Sequence, residues 1–123
     1  YHCDDSVQPL TDTRDCATCA GSIVFQDYTN TQARYKLSAG SITMSSNGGA
    51  SYASITSTDI TITDLKFRVL GSTTFCATTC GSKDVYQPRV IINLSGYVGS
   101  KLTTRSTFSL QTTVSQRVLD AKD

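Results

Sequence analysis

Apolar and polar side chains alternate along residues 55–71, ITSTDITITDLKFRVLG, and this alternation constrains the fold more than any other feature of the chain. Side chains two residues apart share one face of a β-strand, so the pattern predicts a strand with one buried face. Ile60 and Ile62 are at even positions, whereas Leu65, Phe67 and Val69 are at odd positions. A β-bulge or a strand break at Thr63–Asp64 would keep all of them on one face, namely Ile60, Ile62, Leu65, Phe67 and Val69.

The same period predicts further strands. Residues 22–28 are predicted to form a short strand, and residues 33–37 and 41–44 flank a Ser-Ala-Gly turn, as in a hairpin. Residues 89–99 and 108–114 are predicted to pair as neighbouring antiparallel strands of a meander. Their inward side chains are Val90, Ile92, Leu94, Val98, Phe108, Leu110, Thr112 and Val114.

Composition supports a mainly β fold. Thr and Ser make up 35 of the 123 residues, and Glu is absent. Thr is β-branched and suits a pleated, half-buried surface better than a helix. We therefore predict a mainly β, single-domain protein over residues 1–123, built on an antiparallel meander sheet. Residues 33–120 are expected to form the sheet, and residues 1–32 a cysteine-containing lead-in. Within the lead-in, residues 1–21 show neither the strand period nor the helix period and are expected to be rich in loops.

Groups that could carry out catalysis are scarce. His2 is the only histidine, so a Ser/His/Asp or Cys/His arrangement would depend on that one residue. The sequence contains no glycine-rich phosphate loop. We expect a protein that is not an enzyme, without a cofactor and without catalytic or metal-binding residues.

Five cysteines in so short a chain favour an oxidising compartment. The spacings predict two local disulfides, Cys76–Cys80 and Cys16–Cys19. A Cys3–Cys16 bond, which would leave Cys19 free, is an alternative. A zinc site formed by the two pairs is another, but the second pair has three intervening residues instead of two.

Charge is unevenly distributed along the chain. Residues 1–64 carry seven Asp and three basic residues, a net charge of −4, whereas residues 65–123 carry eight basic and three acidic residues, a net charge of +5. An interaction surface on the outer face of the sheet is expected from four basic residues, Lys66, Arg68, Arg89 and Arg105. Such a surface would meet an acidic face of another subunit or bind nucleic acid weakly.

Four stretches, taken in order, resemble type IV pilin-like proteins, in particular minor pilins and the J-type minor pseudopilins of type II secretion. They are ARYKLSAGSITMSSNGG, ITSTDITITDLKFRVLGS, QPRVIINLSGYVG and TFSLQTTVSQRVLD, and together they span roughly residues 33–120. Each stretch alone is a generic strand pattern, but four in this order are more specific. The printed sequence does not include the basic leader and the long apolar amino-terminal helix of such proteins. The resemblance therefore implies a globular head domain, whose full-length parent would be α+β.

The function that the resemblance implies is a non-catalytic subunit at or near the tip of a pilus or pseudopilus. Its partners would be other pilin or pseudopilin subunits. It would lie outside the cytoplasm, in the periplasm or at the cell surface, and would touch the membrane only through the amino-terminal helix. Two alternatives are a DNA-binding minor pilin of an uptake pilus and an extracellular adhesive β-domain.

The apolar face of the meander needs a cover, because leaving large aliphatic and aromatic side chains in water costs about 1.5–3 kcal/mol each. We expect the lead-in to cover part of it. An apolar helix or another chain would cover the rest.

Overall fold

The alternating segments form strands in the structure, a computed structural model that describes residues 2–3, 16–27, 29–72 and 87–115. The fold is mainly β, as predicted. The strands are β1 (His2–Cys3), β2 (Cys16–Ala20), β3 (Ser22–Gln26), β4 (Gln32–Ser38), β5 (Ser41–Ser45), β6 (Ala53–Ser54), β7 (Ile60–Leu70), β8 (Arg89–Val98) and β9 (Ser106–Ser115). One 3₁₀ turn, Leu102–Thr104, precedes β9.

The first sheet is four-stranded, in the order β2-β7-β8-β9, and every pair is antiparallel. The predicted meander is therefore confirmed for β7, β8 and β9. Leu94 lies between Leu65 and Leu110, and Val90 lies between Val69 and Val114. This register brings the apolar side chains of three strands onto one face, as the alternation predicted.

The change of parity in β7 is a β-bulge. Ile62 pairs with Gly96 and Asp64 pairs with Ser95, so Thr63 is the extra residue. The bulge returns the apolar residues on both sides of it to the same face. Ile62, Leu65, Phe67 and Val69 are all buried, and Val69 is fully buried. The predicted interruption at Thr63–Asp64 is thus confirmed.

The second sheet has the order β1-β3-β4-β5-β6, also antiparallel, with a two-residue strand at each edge. The predicted hairpin of residues 33–44 is its β4–β5 pair. Ala39 and Gly40 form the turn, with φ of 48° and 77°. Two-residue hairpin turns favour such positive φ values because they match the twist of the strands.

The two sheets pack face to face around one core. Ile23 of β3 lies in the same buried cluster as residues of β7 and β8, and Tyr35, Leu37 and Ile42 pack against it. The amide of Ile62, beside the bulge, donates a hydrogen bond of 2.8 Å to the carbonyl of Gly40. The hairpin turn is therefore held against β7.

Two features differ from the sequence analysis. A single meander sheet was expected, but the strands before residue 55 other than β2 form a second sheet that covers part of the first. Residues Cys16–Ala20 were expected in a loop-rich lead-in, but they form a strand at the edge of β7. Cys16 pairs with Val69 and Cys19 with Phe67, with an irregularity between them. The irregular pairing explains why CATCA lacks a two-residue apolar period.

Candidate interaction surfaces

An apolar groove lies between the two sheets, with a volume of about 520 Å³. The inner face of the four-stranded sheet forms one wall, and β3, β4 and β5 form the other. Ile55, in the segment after β6, adds to the lining. The first wall is Leu65, Phe67, Val90, Ile92, Leu94, Thr112 and Val114, and the second is Ile23, Phe25, Tyr35 and Ile42.

The chemistry of the groove suits an apolar partner. Among the described residues that line it, none is charged, and only Tyr35 and Thr112 carry a hydroxyl group. The rings of Phe25 and Tyr35 stack with centroids 5.8 Å apart, which makes part of one wall flat and aromatic. Each Å² of apolar surface that a partner buries in the groove contributes about 25 cal/mol to the free energy of binding.

The groove opens at a rim of exposed apolar side chains. Val114 is 53% exposed and Ile55 is 55% exposed, although both line the groove. Leu110, on the same face of β9 as Val114, is 59% exposed. Exposed apolar side chains at the mouth of a groove mark a site of interaction more often than scattered single residues do.

Three of the four predicted basic residues share the outer face of the four-stranded sheet. Lys66 and Arg68 project from β7, and Arg89 of β8 pairs with Leu70 on the same face. Arg68 and Arg89 are exposed. The Nζ atom of Lys66 lies 3.0 Å from a carboxylate oxygen of Asp64. Part of the positive charge on this face is therefore neutralised within the sheet.

Arg105 lies at the other end of that face. Its guanidinium group sits 4.0 Å from the centre of the Tyr97 ring. Tyr97 and Arg89 are eight residues apart on β8, which corresponds to about 26 Å along a strand. The predicted surface is thus one group of three basic side chains and one separate cation–π pair.

Cys16 and Cys19 are both disulfide-bonded. Their own Sγ atoms lie 2.9 Å apart. A disulfide joins its sulfurs at about 2.03–2.05 Å, so these two sulfurs touch without being bonded to each other. The predicted Cys16–Cys19 pairing therefore does not match this geometry. Cys76 and Cys80, and hence the predicted bond between them, lie outside the described residues, as does the side chain of Cys3.

The Asp27 carboxylate organises the turn between β3 and β4. It accepts hydrogen bonds from the amides of Thr29 and Thr31, at 2.8 and 2.9 Å, and from the Thr29 hydroxyl at 2.6 Å. These bonds, with the Thr29 hydroxyl first, hold the pKa of Asp27 below its ordinary value. All of these partners lie within four residues of Asp27, so the arrangement stabilises a turn.

Within the described ranges, no group of three or more His, Cys, Asp or Glu residues is placed to hold a metal ion. No helix in the described part of the chain is long and apolar enough to cross a membrane.

Comparison with known proteins found no matching family model, no matching curated protein and no matching solved structure.

Sequence reasoning missed part of one wall of the groove. Phe25 lies in the lead-in, which was expected to cover part of the meander, but nothing indicated that the strands of Tyr35 and Ile42 would face the meander. The usable signal was the hairpin itself. Ala33, Tyr35 and Leu37 form an apolar side, which must be buried against something.

Proposed function

We propose that the chain is the globular head of a non-catalytic filament subunit, of the kind found among minor pilins and type II secretion pseudopilins. The observation that carries this proposal is the open apolar groove between the two sheets. Its lining has the composition of a protein core, yet its β9 side is exposed to solvent. A domain whose role is assembly needs such a surface.

The partner that we propose for the groove is an apolar helix of a filament subunit, supplied by a longer form of this chain or by a neighbouring subunit. A helix with its side chains is about 10–12 Å across. It presents a stripe of apolar side chains to whatever it packs against. Leu, Ile, Val and Phe side chains on that stripe would meet the aliphatic and aromatic lining without leaving any charge buried.

Location outside the cytoplasm is part of the proposal. The disulfide-bonded Cys16 and Cys19 support it, because disulfides persist in the periplasm and at cell surfaces and are rare in the cytosol. The partners are other pilin or pseudopilin subunits, and membrane contact occurs only through the apolar helix.

The test is immunogold labelling of cells that make the protein, combined with a matched pair of variants. Ile92→Asp places a carboxylate in the groove, whereas Ile91→Asp places the same group on the outer face, one residue away and opposite Arg68. We expect gold on filaments for the unchanged chain and for Ile91→Asp, and its loss for Ile92→Asp.

Val114→Asp separates loss of assembly from loss of folding, because Val114 is at the exposed rim of the groove. This variant should fold and still fail to enter filaments. A protein spread through the cytoplasm, or full incorporation of Val114→Asp, would overturn the proposal.

Nucleic-acid binding is the second function that the basic residues allow. Asp64 offsets Lys66, and Arg105 is remote from Arg68 and Arg89. We therefore expect only weak binding to duplex DNA, with a shallow dependence on salt concentration. Tight binding with a steep salt dependence would favour the DNA-uptake alternative.

A further inference from the structure

Among the described strands, none lies beside the outer edge of β9. β9 is the last strand of its sheet, and all ten of its residues pair with β8 on the other side, from Ser106 opposite Val98 to Ser115 opposite Arg89. The register shows no bulge. Among the described residues, no strand pairs with the outer edge, so one row of its backbone amide and carbonyl groups is available to another strand.

This edge carries none of the usual protection against pairing. Edge strands are normally kept apart by charged residues, prolines, bulges or short length. β9, STFSLQTTVS, has ten residues and contains no charged residue and no proline. Every one of its residues except Phe108 is exposed. At about 3.4 Å per residue, the open edge is about 34 Å long.

The strand is also complementary to itself. In an antiparallel pair related by a two-fold axis at Gln111, Phe108 lies opposite Val114 of the second copy, and Leu110 lies opposite Thr112. These side chains are on the inner face of each sheet, so the two apolar faces join. On the outer face, Ser109 lies opposite Thr113 and Gln111 lies opposite its own copy. Aromatic and β-branched residues make favourable cross-strand pairs.

We propose that two copies of this chain associate through antiparallel pairing of their β9 strands, which gives one continuous eight-stranded sheet. The edge carries no charge that would favour a charged strand of another protein. The alternation of apolar and polar residues in β9 does match that of a second copy of β9 in this register. Val114 and Thr112 also line the groove, so the second copy extends the apolar wall at the rim.

The association should be weak in isolation. A single pair of strands buries less surface than a standard protein–protein interface, which buries about 1,200–2,000 Å² in total. We therefore expect a dissociation constant between about 1 μM and 1 mM, equivalent to about −8 to −4 kcal/mol.

Sedimentation velocity of the purified chain over a series of concentrations tests the proposal. The unchanged chain should form a dimer. Gln111→Lys and Gln111→Asp each place like charges across the two-fold axis, so each should remain monomeric, and an equal mixture of the two should dimerise. Ser95→Lys is the control, because Ser95 lies on the same outer face but in β8, next to Asp64 and away from the edge. It should dimerise like the unchanged chain.

A second pair of variants tests the register by gain of affinity. S109K/T113D places opposite charges across both symmetric pairs and should tighten the dimer by roughly three- to tenfold. S109K/T113K should abolish it.

A chain that stays monomeric up to about 1 mM would overturn the proposal, since association weaker than about −4 kcal/mol is not a specific dimer. The proposal would also be overturned if both Gln111 variants dimerised as well as the unchanged chain, or if Ser95→Lys lost the dimer to the same extent as they do. Failure of the mixture or of S109K/T113D would reject this two-fold register. The measurement involves no other subunit, so its failure would leave the filament proposal standing.

Discussion

At the residue scale, one glycine makes the bulge of β7 possible. Gly96 of β8 pairs with Ile62, directly beside the extra residue Thr63. A Cβ atom at Gly96 would overlap the carbonyl oxygen of Thr61 and lie 3.1 Å from the Cα atom of Ile62. Both are backbone atoms, which cannot move aside as a flexible side chain can. The bulge and the glycine therefore depend on each other.

Gly96→Ala should destabilise the chain. The added methyl group forces β7 and β8 apart at the bulge, and overpacking of this kind costs about 1–3 kcal/mol. Asn93→Ala, on the outer face of the same strand, is the control and should cost less than about 0.5 kcal/mol. Unfolding in urea measures both. Equal stabilities of the two variants would mean that the bulge does not need a glycine.

Asp27 predicts a dependence of stability on pH. Its pKa is lowered from 3.8, first by the Thr29 hydroxyl and then by the Thr31 amide. A lowered pKa in the folded state contributes stability above the unfolded value, and this stability is lost as pH falls through the folded value. We expect Asp27→Asn to reduce the melting temperature at pH 7 and to flatten its decline below about pH 4. If the melting temperatures of the two proteins fell in parallel as pH is lowered across that range, this role of Asp27 would be contradicted.

The cysteines give a prediction about covalent connectivity. Cys16 and Cys19 are each disulfide-bonded but not to each other, and the sequence offers only Cys3, Cys76 and Cys80 as partners. We therefore expect Cys16 and Cys19 to be linked to other cysteines of the sequence. Peptide mapping without reduction should recover such a linked peptide. Recovery of a single peptide closed by a Cys16–Cys19 bond would contradict the geometry.

At the element scale, alternation was sufficient to predict the long strands but not their arrangement. Residues 60–70 and 89–98 were predictable because one face of each is buried. β2 and β6 were not, since a paired edge of two to five residues needs no apolar period. The second sheet was missed for a related reason. Which strand pairs with which depends on non-local contacts, and the partners of cysteines cannot be deduced from their spacing.

Opposite faces of neighbouring strands should respond differently to the same charge. Leu94 lines the groove, and Leu94→Asp should cost about 2 kcal/mol or more because it brings a carboxylate into an apolar wall. Gln111→Asp, exposed on the outer face of β9, should leave the thermal melt of dilute protein nearly unchanged. Similar tolerance of both substitutions would show that the two faces have been assigned wrongly.

At the scale of the whole molecule, the two sheets cover only part of each other's apolar surface. The core is closed where β3 and the β4–β5 turn meet β7, and it opens toward β9. The need for a cover was predictable from the sequence. The sequence did not predict that a second sheet would be part of this cover, nor that the groove would stay open on its β9 side. An open apolar groove beside a bare strand edge is the arrangement expected of a domain that works by assembly.

Site-specific photo-cross-linking in cells that make the protein tests this account most directly. A photoreactive side chain replaces Ile92 in the groove or, as the matched control, Ile91 on the outer face. Mass spectrometry then identifies the peptides that are joined. We predict that position 92 becomes joined to an apolar helical segment of a filament subunit and that position 91 does not. Cross-links from position 92 only to other residues of this domain, or the same partner peptide at both positions, would contradict it.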